Sequence, residues 1–330
     1  MLLSIVIPIY NGATTISRCL ASIKKQRLPT GQYEVICVDD CSSDNTIETL
    51  QREAFSFPEL RILRNPRNMR AGGARNHGVR EARGKFIVFI DADDYFHTGS
   101  LLFALNYQLK NDLDILMLDY SRQISPDDRP ETTLNFVSEH IMNGVDFVRV
   151  NTCPYGPCKF IFKRDLMVVN EIWFEEDCCC EDVDWCFRLV LHANTIQYKN
   201  KVLSCVIINE GSQTAVEHKS FKTVSDKLFA GFRLNELLNN PDYRKDPKLS
   251  SYIESVANLY LFEGVKYMTA CKAPIHDKAN AIAQYVTKRN NQPTAISFAY
   301  SHPTIFACLT NISALLVPCL ITLKRRLFKR

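Results

Sequence analysis

The sequence predicts an α/β fold, with a mostly parallel central sheet followed by a helical C-terminal region. Three observations carry this. Over the first ~120 residues, apolar β-branched runs alternate with helix-periodic segments. Those runs are apolar at consecutive positions, so both faces of each strand should be covered, as in a parallel sheet flanked by helices. From residue 216 onward the apolar spacing is helical.

The elements follow in order. SIVIPIY (4–10) is the first strand, closed by the turn signal Asn11-Gly12. Ile16, Cys19, Leu20 and Ile23 share one helical face. YEVICVDD (33–40) is the second strand and ends in acids; CSSDNTIETLQ (41–51) starts the second helix, with a serine or aspartate as N-cap. LRILRN (60–65) is the third strand. AGGARNHGVREARG (71–84) reads as a glycine-rich opening, a short helix and a glycine stop. KFIVFID (85–91) and DILMLDY (114–120) are the fourth and fifth strands, and SPDDRPE (125–131) is a loop. IQYKNKVLSCVII (196–208) reads as a hairpin or paired strands, and NNPDYRKDPK (239–248) as a linker between helices. Ile253, Val256, Ala257, Tyr260 and Leu261 mark the face of one later helix.

The chain has 330 residues and a net charge of +4, but five basic groups crowd the last seven residues, KRRLFKR. Without them 35 basic residues face 36 acidic ones, which argues against a nucleic-acid-binding body and for a basic tail. No charge occurs from Pro303 to Leu323. That run is just long enough to span a bilayer, yet Thr310, Asn311, Ser313 and Pro318 interrupt it. The preferred reading is a segment lying in the membrane interface, held by the basic cluster on anionic lipid. A single span and a helix packed on protein are the alternatives. The thirteen cysteines follow neither zinc spacing nor a disulfide framework and read as reduced cytosolic thiols. The N-terminus lacks a basic region and a cleavage site, so MLLSIVIPIY reads as a strand rather than a signal peptide.

In parallel sheets ligands bind beyond the carboxyl ends of the strands. Here those ends carry Pro8 to Gly12, Asp39 to Ser43 and Asp91 to Asp94. Asp91 and Asp93, at i and i+2 after a buried run, suit a hard divalent ion shared with substrate phosphates; the bland alternative is a solvated turn.

Taken in order, SIVIPIYNGATTISRCLASI, EVICVDDCSSDNT, NMRAGGARNHGVREARGKFIVFIDADD, KFIFKRDL and CEDVDWCFRL resemble the inverting family 2 glycosyltransferases of the GT-A fold, over roughly residues 1–215. One departure is Arg70, in Asn68-Met69-Arg70, where the family often has glycine. The resemblance implies a Rossmann-like nucleotide-sugar-binding and catalytic domain over 1–215; beyond it, the apolar spacing predicts a helical region over 216–302 and the uncharged run with its basic end a membrane-associating tail over 303–330.

It also implies roles. Pro8 and Tyr10 would flank the nucleobase, with ordinary packing as the alternative for Tyr10. Asp40 would accept from the base N3–H, which suits uracil, while Asp39 braces the loop. Arg75 would line the nucleotide pocket; otherwise it is a surface ion pair of small value. Asp91 would reach the ribose or sugar, Asp93 would hold Mg²⁺ or Mn²⁺, and Asp94 would touch the donor sugar or cap the next turn. In Glu181-Asp182, Asp182 would be the general base; the alternative is favourable charge at a helix N-terminus. Trp185 would stack on the acceptor or pack in the core. Ser212 lies in NEGSQT (209–214), which resembles a loop covering the diphosphate, and His218 would be an extra metal or phosphate contact.

The expected reaction moves a sugar from a nucleotide-sugar, of UDP type, to a glycan or lipid-linked glycan acceptor in cell-surface polysaccharide synthesis. It is placed in the cytoplasm, peripheral to the inner face of the plasma membrane, with a homodimer left open. The rivals are a nucleotidyltransferase, whose Gly-rich basic N-terminal loop YNGATTI lacks, and an inactive sugar-nucleotide-binding scaffold.

Overall fold

The structure, a computed structural model, describes residues 1–123, 131–133, 139–153, 155–208, 220–268, 271–286, 297, 299 and 301–304. It divides into two compact units, Met1–Glu210 and Gly211–Arg330.

The first unit is built on a nine-stranded sheet. Its strands are β1 (Leu3–Ile9), β2 (Tyr33–Asp39), β3 (Leu60–Arg64), β4 (Phe86–Phe89), β5 (Tyr95–Phe96), β6 (Ile115–Gln123), β7 (Glu131–Thr133), β8 (Phe160–Lys163) and β9 (Ile196–Ile207). The order is β3-β2-β1-β4-β8-β6-β9-β5, with β7 on β6. Pairings β1–β2, β2–β3, β1–β4 and β6–β9 are parallel. β8 runs antiparallel between β4 and β6, so those two strands point the same way and their carboxyl ends share one edge. The consecutive apolar runs have the expected cause: every residue of β1, β2 and β4 is buried.

The helices are α1 (Ile16–Lys24), α2 (Thr46–Ala54), α3 (Arg70–Glu81), α4 (Ser100–Asn111), α5 (Gly144–Asn151), α6 (Arg164–Val169) and α7 (Glu181–Leu191). Leu3, Ile5 and Ile7 of β1 join Ile16, Cys19, Leu20 and Ile23 of α1 in the main core. Val6, on the other face of β1, meets α3 at Gly78, where an added Cβ would lie 2.4 Å from its Cγ1. This is the period-2 alternation of a strand packed on both sides.

Four sequence readings are corrected. Gly72 and Gly73 are no opening loop but lie inside α3, because a Cβ at Gly72 would sit 2.7 Å from the Glu175 carbonyl oxygen and one at Gly73 2.5 Å from Met69 Cβ. Residues 196–208 are not a hairpin but hold the single strand β9; its register jumps from Lys199 to Val202 opposite Leu118 and Asp119, so Asn200-Lys201 form a bulge. The α2 N-cap is Asn45, while the Asp44 carboxylate accepts from Thr46 N and Ala13 N. The linker 239–248 contains a short helix.

In the second unit the described helices are α8 (Phe221–Leu237), α9 (Pro241–Lys245), α10 (Pro247–Tyr267) and α11 (Ile275–Tyr285). Asn240 and Asp246 cap α9 and α10 with their side chains, each ahead of a proline, which is why the linker still folds helically. Ile253, Val256, Ala257 and Leu261 are buried on α10. α8 and α10 pack closely, since a Cβ on Gly231 would lie 2.7 Å from Leu261 Cγ and one on Gly264 2.7 Å from Leu228 Cδ2. Among the described residues no helix is long and apolar enough to cross a membrane. Ser212, His218, the NEGSQT loop and residues 305–330 lie outside the described residues.

Candidate active site

The carboxyl ends of β1 and β2 are stitched together by side-chain to backbone bonds. Asn11, at φ 53°, donates its N–H to Ser42 Oγ at 2.9 Å, and its Oδ1 accepts from Ser43 N at 2.9 Å. Gly12 N–H reaches Thr46 Oγ1 at 2.9 Å. Pro8 is buried beside β2. Tyr10 is 42 % exposed and its ring is available to a ligand.

The two adjacent aspartates here have different surroundings. Asp39 is fully buried, accepts from Ser42 N and pairs with Arg64 Nε at 3.2 Å, so it braces the loop. Asp40 uses only one oxygen: Oδ1 accepts from Asn65 Nδ2 at 2.7 Å and Met69 N at 2.9 Å. Its Oδ2 is buried without a hydrogen-bond partner. Burial pushes the Asp40 carboxyl above its ordinary range, against these bonds. A buried carboxylate oxygen left open is a ready acceptor for a ligand N–H. Asn65 is itself held by His77 Nδ1 at 2.7 Å.

The next strand end carries the D-x-D turn. Asp94 N–H closes it on the Asp91 carbonyl at 3.0 Å. Arg18, from α1, donates to the Asp93 carbonyl. The β1 loop adjoins this turn, since a Cβ on Gly12 would lie 3.7 Å from Ala92 Cβ. Asp94 is 4 % exposed, and its Oδ1 accepts from Ile207 N of β9 at 2.9 Å. Burial, with the charges of Asp91 and Asp93, pushes its carboxyl up to about 8. Asp94 is therefore a brace between the turn and β9.

Arg75, from α3, is 4 % exposed, so its ion pairs are not surface ones. Nη2 donates to Asp91 Oδ1 and Nη1 to Glu181 Oε1, both at 2.8 Å, and the guanidinium lies over the rings of Phe89 and Phe174. The two carboxylates raise its pKa further despite burial. One cation from α3 thus joins the D-x-D turn to the first residue of α7.

Asp182 follows on that helix, half-buried. Burial raises its pKa; Arg75 and Lys159 oppose the rise and Asp91 adds to it. Trp185 does not reach an acceptor: it is fully buried, stacks on Phe174 at 4.2 Å and donates Nε1–H to the Ile172 carbonyl at 3.1 Å. The structure thus gathers Arg75, Asp91, Asp93, Glu181 and Asp182, leaves Tyr10 one strand and Asp40 two strands away on the same edge, and gives Asp39, Asp94 and Trp185 supporting contacts.

Among the described residues no group of three or more His, Cys, Asp or Glu side chains could hold a metal alone. The donor set still fits a hard ion. Asp91 is 42 % exposed at its side chain with one oxygen on Arg75, Asp93 is half-buried beside it, and Mg²⁺ or Mn²⁺ needs only one or two carboxylates when substrate phosphates complete the shell. Sequence reasoning missed Asn65, His77, Arg18 and Lys159. The first three act through folded contacts; only Lys159, inside the KFIFKRDL segment, had a signal.

The glycosyl transferase family 2 model matches residues 4–167. The chain belongs to this family. The poly(ribitol-phosphate) beta-glucosyltransferase of Bacillus spizizenii is 34 % identical over 175 residues, 53 % of this chain and 27 % of that protein. The UDP-Glc:alpha-D-GlcNAc-diphosphoundecaprenol beta-1,3-glucosyltransferase WfgD of Escherichia coli is 36 % identical over 120 residues, 36 % of this chain and 46 % of that protein. The matched stretches span less than half of either relative. Residues 1–349 of Staphylococcus aureus TarS, solved with UDP-GlcNAc, superpose with a TM-score of 0.64 at 20 % identity, covering 95 % of this chain and 89 % of that one. The fold of this family 2 glycosyltransferase is accordingly of the GT-A type.

Proposed function

We propose that the chain is an inverting glycosyltransferase that moves a sugar, glucosyl or N-acetylglucosaminyl, from a UDP-sugar to a hydroxyl of a glycan or lipid-linked glycan. The observation that carries this is Arg75, which joins the D-x-D turn to the helix bearing Asp182. A donor-facing and a base-bearing carboxylate on one edge are what a single displacement requires.

On this reading Tyr10 packs on the base and Asp40 Oδ2 accepts its N–H. Asp182 takes the proton of the acceptor hydroxyl as that oxygen bonds to the anomeric carbon. The bond from that carbon to the diphosphate breaks, and the electron pair leaves on the nucleoside diphosphate. Burial suits Asp182 to accept a proton, and the charge of Arg75 favours its ionised form. A divalent ion held by Asp93, with Asp91, would neutralise charge on the leaving diphosphate. UDP in the donor role is supported by the names of WfgD and of the TarS complex. Residues 1–215 would form the catalytic domain and 216–302 a helical region. Residues 303–330 would hold the protein at the inner face of the plasma membrane, a role supported by their apolar and basic sequence.

The test is Asp182→Asn. UDP binding should persist while transfer falls about 10²- to 10⁴-fold. Loss of UDP binding would make Asp182 structural instead.

A further inference from the structure

Two cations converge on one tyrosine ring on the far side of the D-x-D turn from the nucleotide half. Lys159 ends a 3₁₀ turn, Pro157–Lys159, that leads into β8, and Gly156 at φ 89° sets that turn. Its Nζ lies 4.6 Å from the centroid of the Tyr120 ring in β6. The Arg122 guanidinium lies 5.3 Å from the same centroid, and its Nη2 donates to Tyr120 Oη at 2.7 Å. Lys159 is half-buried and Arg122 exposed. Among the described residues neither cation has a carboxylate within ion-pair distance. The acids that feel Lys159 are Asp119 and Asp182, and Asp119 is engaged by Tyr198 Oη at 2.5 Å.

A half-buried ammonium whose neighbouring acids lie beyond ion-pair distance can still take a bound anion. The position is specific. In the order β2-β1-β4-β8-β6, Asp40 closes β2, while Lys159 leads into β8 and Tyr120 belongs to β6. Lys159 is also near enough to Asp182 for its charge to favour the ionised base. An anion held there would lie beside the hydroxyl that Asp182 serves, not on the nucleotide.

We propose that Lys159, Arg122 and Tyr120 form an acceptor subsite for a phosphate group carried by the acceptor glycan, a refinement that rests on the transferase reading. The phosphate belongs either to a polyol-phosphate chain or to the diphosphate of a lipid-linked glycan, and the subsite's chemistry is common to both.

The test uses the full chain saturated with UDP, so that the donor site is filled. Ribitol 5-phosphate and GlcNAc-diphosphofarnesol are titrated by calorimetry, with ribitol and GlcNAc as neutral controls. One phosphate probe should bind wild type and thereby name the source. Its affinity should fall about tenfold in Lys159→Gln and less in the exposed Arg122→Gln, while Lys159→Arg retains it. UDP affinity should be the same in all three variants. Neither probe binding, equal binding by the neutral controls, or loss of UDP affinity with probe affinity unchanged would each overturn the subsite. Failure of wild type to bind UDP would instead bring down the transferase reading on which it rests.

Discussion

Arg75 and Glu181, 106 residues apart in sequence, meet in a 2.8 Å hydrogen bond. Because the other arm of the same guanidinium is on Asp91, the α3 arginine fixes the distance between the D-x-D turn and α7. Removing it leaves two carboxylates near each other with no counter-charge. Arg75→Met should destabilise the first unit by about 3 kcal/mol, the low end for a buried pair because Asp91 is partly solvated. Urea unfolding checks this. Arg75→Lys should recover only part of the loss, since an ammonium cannot reproduce the planar fork.

The same bridge sets a pH dependence. Asp182 must be ionised to act as a base, and burial raises its pKa. Transfer should therefore rise with pH through a midpoint above the ordinary aspartate value of about 4. Arg75 lowers that midpoint, so Arg75→Met should move the acidic limb to higher pH. A pH profile of kcat/KM on both proteins reads the shift.

Asp94 gives a stability prediction of definite sign. Its carboxyl is pushed up to about 8, so ionising it opposes folding. The contribution of the protonated form is fully present below the unfolded value near 3.8 and is lost as pH rises toward 8. Asparagine keeps the acceptor for Ile207 N without the charge. In chelator, Asp94→Asn should unfold at a higher temperature than wild type at pH 8, and the two should converge at pH 4.

Asp40→Asn probes the open oxygen at the end of β2. If Oδ2 receives the base N–H, placing an amide there should weaken UDP binding about 10- to 100-fold, the value of one hydrogen bond to a charged group. Calorimetry with UDP and CDP measures it, with the larger loss expected for UDP.

Much of the first unit was legible because its signals are local. The consecutive apolar runs of β1, β2 and β4 and the Ile16, Cys19, Leu20, Ile23 face need only neighbouring residues to declare themselves. What failed depends on partners far along the chain. Gly72 looks like a loop residue until Glu175 and Glu181 pack against it. Asn200-Lys201 looks like a turn until β6 pairs on both sides of it. Asp91 and Asp94 read alike in sequence; only β9, more than a hundred residues later, makes one a brace and leaves the other half-open. Arg75 stood out by its motif, but its contacts to Asp91 and Glu181 could not be read from the sequence for the same reason.

The most direct measurement is the calorimetric affinity of UDP, with and without Mn²⁺, for wild type and Asp93→Ala. Metal-dependent UDP binding by wild type, lost in the variant, is the expected result. Binding that ignores both the metal and the substitution, or no binding at all, would contradict the donor site and return Asp91-Ala92-Asp93 to a solvated turn.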